Sequence, residues 1–344
     1  MFKATYQATP DRSGLVALIM MDNEIAMKNK SLEFDAKLIN LSHYGLIRIV
    51  GEDAQTFLQN QLTCDLREIN QQKAQHGSYC TPQGRVLVSF LLWQQDNDYF
   101  MQIPASLLAS IKKRLSLYVL RAKVQLIDAT DTSVRIGLTG SDAARAIQQI
   151  TGLNFDSNHH LQVRQNEKLC AISLSGHHIE LITSTDDAPR LIDNLRQHAK
   201  PADINFWNWL NIQSAFPMIL PETQEMFLPQ MINLDAMGGI SFKKGCYPGQ
   251  EIVARTHYLG KLKRRMYLAR IATIDTIKPG DLLYSHDMND QSCGNIVNIA
   301  SSPNGDFDVL AVIQQSSVET CPIHWQSPQG PTLQIKPLPY SLTD

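Results

Sequence analysis

The sequence predicts an α+β protein in which two similar α+β modules are followed by a small all-β C-terminal domain. Three observations carry that prediction. An apolar stretch closed by glycine and an acidic helix start occurs twice, each copy precedes the same succession of strands and helix, and after about Tyr258 the pattern changes to short alternating strands. A length of 344 residues exceeds what a single core usually serves and agrees with two or three domains.

The first copy is Ile47-Arg48-Ile49-Val50-Gly51-Glu52-Asp53-Ala54 and the second is Ile136-Gly137-Leu138-Thr139-Gly140-Ser141-Asp142-Ala143. Helical periodicity follows both, with Ala54, Phe57, Leu58 and Leu62 on one apolar face and Ala143, Ile147 and Ile150 on the other. Each helix opens beside an Asp, where the macrodipole favours negative charge. Strand-like runs at residues 86–93 and 99–103 then precede a helix from Pro104, and runs at 169–173 and 179–183 precede one from Pro189. The order strand, helix, strand, strand, helix is that of a split β-α-β unit used twice. Two such modules side by side usually leave a cleft suited to a small ligand.

Beyond Tyr258 the run Arg265-Met266-Tyr267-Leu268-Ala269-Arg270-Ile271 reads as a strand. Pro279-Gly280, Pro303-Asn304-Gly305 and Pro328-Gln329-Gly330-Pro331 punctuate the rest. No helix is expected there, and the tail reads as a barrel.

Hydrophobic residues make up 43% and charged residues 19%, the balance of a folded protein with a large core. With 31 basic against 33 acidic side chains the net charge is -2, so no global field draws the chain toward nucleic acid or an anionic membrane. The apolar run Leu15-Val16-Ala17-Leu18-Ile19-Met20-Met21 is too short to span a bilayer and lacks the flanks of a signal peptide. The expected location is cytoplasmic.

The six cysteines, Cys64, Cys80, Cys170, Cys246, Cys293 and Cys321, show no CxxC and no Cys/His spacing of a metal or cluster site. They are expected to be free thiols in a reducing compartment, with no ligand set for holding a cluster. The pairs His159-His160 and His177-His178 read as solvated loop histidines.

The stretch Lys243-Lys244-Gly245-Cys246-Tyr247-Pro248-Gly249-Gln250-Glu251 concentrates the chemistry. Its glycines allow close backbone approach, and Pro248 with Glu251 suits a helix beginning directly after Cys246 and running from Gly249 to about Thr256. A thiol placed between a helix N-terminus and two lysines sits in positive potential, which favours negative charge on sulfur and a reactive Cys246. The competing reading is a tight turn that includes an inert cysteine.

From Ile240 to Glu251 the sequence resembles K-G-C-[YF]-x-G-Q-E, the signature of the YgfZ family, which includes mitochondrial iron–sulfur assembly factors. Gly51-Glu52-Asp53-Ala54, Phe216-Pro217, Phe227-Leu228-Pro229-Gln230 and the ending Pro337-Leu338-Pro339-Tyr340-Ser341-Leu342 extend the resemblance over nearly the whole chain. It implies an aminomethyltransferase-like cloverleaf of three domains around a folate-sized cavity. Residues 1–128 with 207–257 would form a discontinuous folate-binding α+β domain, 129–206 a second α+β domain, and 258–344 the C-terminal β-barrel domain. Cys246 would lie near the cavity.

The resemblance also implies site residues. Folate needs aromatic walls and a few orienting polar groups. Trp207 matches one of the family's ring positions, Tyr44 stands where the family has a Trp, and Gln250 belongs to the signature. Tyr44, Trp207 and Gln250 are therefore the expected folate-binding residues, and Cys246 and Lys244 the expected catalytic pair. From the residues alone, Trp207 beside Phe206 and Trp209 reads as core. Around Pro82-Gln83-Gly84-Arg85 the chain is similar to true aminomethyltransferases, but these carry an Asp pair where Val88 and Ser89 stand, and Pro-x-Glu where Pro229-Gln230-Met231 stands. Neither Val nor Ser can hold the charge that the transfer reaction uses.

The function implied is a tetrahydrofolate-binding accessory protein in iron–sulfur cluster synthesis or repair, indirectly supporting tRNA methylthiolation. The alternative is a folate-dependent aminomethyl transferase. Iron–sulfur assembly or client proteins are the expected partners of a monomer, with no metal of its own and no membrane. Lys261, Lys263, Arg264 and Arg265 form a basic cluster, but it lacks interleaved aromatic rings and reads as solvated surface, so no direct tRNA contact is expected. The absence of GxGxxG and of a phosphate loop disfavours a flavin-linked demethylase.

Overall fold

The computed structural model describes residues 36–155, 160–175, 177–260, 262–289, 291–303 and 305–342. The apolar run at residues 15–21, His159 and Lys261 lie outside them. Among the described residues no helix is long and apolar enough to cross a membrane.

The chain begins with β1 (Lys37–Asn40) and β2 (Tyr44–Val50). Gly51, at φ 121°, then takes a conformation that side chains avoid and turns the chain into α1 (Ala54–Gln59). Ala54, Phe57 and Leu58 are the buried residues of α1, as their spacing requires. Asp53 stands at its N-terminus, yet its carboxylate accepts from the backbone N–H of Lys123 at 2.8 Å and makes no cap bond. β3 (Gln75–Cys80), β4 (Val86–Gln95), β5 (Asp98–Pro104), α2 (Ala105–Ser116) and β6 (Gln125–Asp128) follow.

The second copy repeats the order with β7 (Ser133–Thr139), Gly140 at φ 114°, α3 (Ala143–Thr151), β8 (Gln162–Gln165), β9 (Leu169–Ser175), β10 (His178–Ser184), α4 (Ala188–Arg196) and β11 (Lys200–Ala202). All four expected strands of the two copies are present. His178 corrects the reading of loop histidines, because it opens β10 half-buried; burial, and then His177, push its pKa down to about 4. β3 has no sequence signal: Gln75, His76 and Ser78 are polar, yet all six of its residues are buried.

Next come α5 (Ile204–Gln213), a 3-10 turn at Pro229–Ile232 and α6 (Gln250–Tyr258). The β-rich tail contains β12 (Arg264–Ile271), β13 (Leu282–Tyr284), β14 (Ser292–Ser301), β15 (Phe307–Gln314), α7 (Gln315–Thr320), β16 (His324–Trp325) and β17 (Leu333–Lys336). Helix α7 corrects the expectation of a helix-free tail, since six residues are too few to display a helical period.

The chain separates into two compact units. One comprises the described residues up to Tyr44 with Ala129–Asp203, and its sheet has the order β11-β1-β7-β10-β9-β8. β1 falls in the segment expected to belong to the first module, but it pairs antiparallel with β7 and parallel with β11. Leu38, Ile136, Leu138, Ile179 and Leu181 cover one face of that sheet and pack with Ile147 and Ile192 of the helices.

The other unit is Gly45–Asp128 with Ile204–Asp344 and holds two sheets, β3-β4-β5-β2-β6 and β16-β13-β14-β15-β12-β17. The expected barrel is a six-stranded antiparallel sheet whose outer strands are linked by one bridge, His324 to Thr332. Each large apolar side chain removed from water in these cores contributes about 1.5–3 kcal/mol.

Helix α5 is tied to the tail sheet by one carboxylate. Asp308, fully buried on β15, accepts from Trp209 Nε1 at 2.9 Å and Gln213 Nε2 at 3.0 Å, and pairs with Arg270 at 3.0 Å and Lys336 at 2.7 Å. Burial opposes its ionisation, but the bonds from Arg270, Lys336 and Trp209 win and hold the carboxyl below its ordinary range. A depressed carboxyl pKa contributes stability above the unfolded value and loses it as pH falls through the folded one. Asp308→Asn should therefore cost about 1–3 kcal/mol at neutral pH, because Arg270 and Lys336, each about a quarter exposed, lose their buried acceptor while Arg270 keeps Asp306 at 3.8 Å. Urea midpoints of the two proteins should converge in acid, and a constant difference down to pH 3 would show that the charge is not what matters.

Candidate functional site

The segment from Gly238 to Tyr258 lies against β3 and the loop after α1, and polar bonds without sequence signal hold it there. Thr63 Oγ1 donates to Gly239 O at 2.7 Å, Ser241 N donates to Thr63 O at 2.9 Å, and Gln75 Nε2 donates to Gly238 O at 2.8 Å. Ser78 N donates to Thr63 Oγ1 at 2.9 Å. Further along, Gln230 Nε2 donates to Val253 O at 2.6 Å and joins the 3-10 turn to α6.

Lys244 makes the deepest attachment. Only 6% exposed, it donates through Nζ to Leu62 O at 2.6 Å and Cys64 O at 2.8 Å, and it stands 5.2 Å from the centre of the Tyr247 ring. Burial lowers its pKa to about 8, while Cys64 and Asp65 pull the other way. The neighbouring Cys64 thiol is pushed up to about 12 by burial, against the attraction of Lys244. Lys244 is thus an anchor between backbone carbonyls, and none of its hydrogen bonds goes to Cys246.

Cys246 is exposed, whereas Cys64, Cys80, Cys170 and Cys293 are buried and Cys321 is intermediate. Helix α6 begins at Gln250 and not directly after the thiol, because Gly249 at φ 82° forms its N-cap. A Cβ at Gly249 would stand 2.5 Å from Gly84 Cα and 2.6 Å from Thr81 O, so two glycines let the segment and the β3–β4 turn touch backbone to backbone. Tyr247 turns inward beside Lys244, and its hydroxyl is buried without a hydrogen-bond partner among the described residues. That orphaned donor was legible in the signature, but its burial was not.

Of the expected folate-binding residues, Gln250 donates to Lys244 O at 3.4 Å and so belongs to the same clamp. Trp207 is 1% exposed on α5. Tyr44, also buried, lies in the other compact unit, its ring 3.9 Å from that of His43. Val88 and Ser89, where an Asp pair would stand, are buried in β4; Ser89 Oγ donates to Pro217 O at 2.8 Å and accepts from Ile219 N at 3.0 Å. The positions are filled by core packing and hold no charge. The basic cluster is divided: Lys263 is exposed, Arg264 is half-buried, and Arg265 is buried and paired with Asp235 at 2.7 Å. Among the described residues no group of three or more His, Cys, Asp or Glu is placed to hold a metal ion.

The family model described as the GCVT N-terminal domain matches residues 20–237. A protein of Yersinia pestis (strain Pestoides F) named tRNA-modifying protein YgfZ is 30% identical over 308 residues, which cover 89% of this chain and 93% of that one. Its namesake from Yersinia enterocolitica is 28% identical over 315 residues, 91% and 95% of the two chains. Among solved structures, the glycine cleavage system aminomethyltransferase T of Bartonella henselae superposes with a TM-score of 0.70 at 15% identity, covering 89% of this chain and 86% of that one. The fold is therefore aminomethyltransferase-like.

A buried lysine with a lowered pKa has a definite linkage sign. Between about pH 8 and the unfolded lysine value the unfolded chain holds more protons, so this group adds stability as pH rises. Relative to Lys244→Met, the native protein should gain up to about 1 kcal/mol from pH 8 to pH 9, read from paired urea titrations. A pH-independent difference between the two would remove the buried ammonium from the account of the clamp.

Proposed function

The chain belongs to the YgfZ family of GCVT-domain proteins, and from that premise we propose that it is a tetrahydrofolate-binding accessory protein supporting iron–sulfur cluster synthesis or repair. Support for tRNA methylthiolation would then run through iron–sulfur client enzymes. The observation that carries the reading is the single exposed thiol, Cys246, on a segment clamped at Lys244, Gly249 and Gln250.

The resemblance supports a folate ligand, and the chemistry of several residues is compatible with one. In the unit that carries the signature, Trp207 would supply a ring and Gln250 an amide, and the Tyr247 hydroxyl is a buried donor that a ligand group would satisfy. Tetrahydrofolate, when bound, supplies amines able to carry one-carbon units. This chain's own contribution is to orient the cofactor and hold a thiol in a fixed backbone frame. The alternative, aminomethyl transfer, needs a carboxylate where Val88 and Ser89 are packed, and nothing in the site favours it.

Tetrahydrofolate should quench tryptophan emission with saturation, and Trp207→Phe should remove most of the quench in a protein that remains folded, with the thermal transition lowered by loss of the buried indole. Absence of both heat and quenching, with a polyglutamylated folate as well, would sink the pocket assignment. In the cell, Cys246→Ser should abolish rescue of iron–sulfur enzyme activities, because an exposed residue of the same size leaves the fold intact. Cys64→Ser, Cys170→Ser and Cys293→Ser should rescue wherever they remain folded. Full rescue by Cys246→Ser would reduce the segment to a structural turn.

A further inference from the structure

A second concavity, distinct from the residues assigned above, opens between α6, β12 and the 3-10 turn at Pro229–Ile232. Its volume is about 530 Å³, within the range of small-molecule sites, and neither Cys246, Lys244, Trp207 nor Gln250 lines it. Phe242 and His257 form one wall, their rings stacked with centroids 3.8 Å apart and planes 9° apart. Tyr258 meets both rings edge-on at 6.1 and 4.7 Å. His257 is exposed, so it keeps ring surface for a further stacking partner.

The polar floor is the ion pair of Asp235 and Arg265, both side chains 10% exposed. Arg265 donates to Asp235 Oδ1 at 2.7 Å and to Gln230 O at 3.0 Å. The second carboxylate oxygen, Oδ2, has no hydrogen-bond partner among the described residues. A carboxylate accepts only, so its complement is a ligand edge made of N–H donors. Lys243 and Lys263 are exposed and each is next in sequence to a lining residue, Phe242 and Leu262, so each is a candidate partner for an anionic substituent of the ligand.

A flat heterocycle stacked on the ring wall, with adjacent N–H donors toward Asp235 and an anionic substituent toward the lysines, satisfies all of these groups. We propose that this cleft binds a planar base with a 2-amino-oxo-pyrimidine edge, the edge that guanine and pterins share. Such an edge presents a ring N–H beside an exocyclic amine. Adenine presents a ring acceptor beside its amine, which a carboxylate repels.

The test is a calorimetric titration of the full chain with GMP, AMP and a free pterin. GMP should bind with a dissociation constant on the order of 10–100 μM and AMP at least about tenfold more weakly. Asp235→Asn should cost GMP about tenfold. Because that variant removes the carboxylate paired with Arg265, His257→Ala, on an exposed residue, provides a second reading and should weaken GMP several-fold at unchanged thermal stability. Lys263→Ala should weaken GMP and leave the uncharged pterin unaffected.

Pterin binding in place of GMP, with the same sensitivity to Asp235→Asn and His257→Ala, supports the edge recognition and identifies a free cofactor as its source. Equal binding of AMP, no saturable binding, or GMP binding indifferent to both variants overturns the proposal. The folate reading fails separately. Quenching through Trp207 should persist in His257→Ala, and its absence in the native protein would remove that reading while leaving the GMP result intact.

Discussion

One buried ammonium group sets the frame of the candidate site. Lys244 Nζ lies between the carbonyls of Leu62 and Cys64, at 2.6 and 2.8 Å, and draws a segment near residue 244 onto a loop some 180 positions earlier. The two loop carbonyls accept from the ammonium, and an ammonium removed from water must find acceptors. Each side satisfies the other. The rest of the segment follows, with Ser241 bonded to Thr63 on one side, Gly249 against Gly84 on the other, and Cys246 left at the surface between them.

The same logic recurs at Asp308, with the sign of the charge reversed. A fully buried carboxylate gathers Arg270, Lys336, Trp209 and Gln213 and so joins α5 to the tail sheet. Elements distant in sequence are thus connected in this unit by buried charges whose partners come from other elements. Such groups contribute little net stability as pairs, but stranding one partner is costly, so they restrict the arrangement more than they strengthen it.

The site also differs in kind from that of a carboxylate-based transferase. Where acidic residues would stand, Val88 packs in the core and the Ser89 hydroxyl bridges Pro217 and Ile219 within the backbone framework. The chemistry-bearing group that remains at the surface of the signature is a thiol.

Local periodicity and turn residues in the sequence determined the duplicated strand–helix order, the two glycine breaks at Gly51 and Gly140, the strand runs between Val86 and Thr183, and the signature with its helix and cysteine. These features are short-range, and a 2- or 3.6-residue repeat or a positive φ leaves its mark within a few positions. Only the tertiary structure decided that the polar stretch Gln75–Cys80 is a buried strand and that β1 pairs with β7. It alone turned Lys244 inward onto the carbonyls of Leu62 and Cys64, and split the basic cluster so that Arg265 pairs with Asp235 in a cleft also lined by Phe242 and His257. Each of those outcomes depends on a partner far away in the chain, and a buried charge or amide carries no sign of which acceptor will satisfy it until the fold brings the two together.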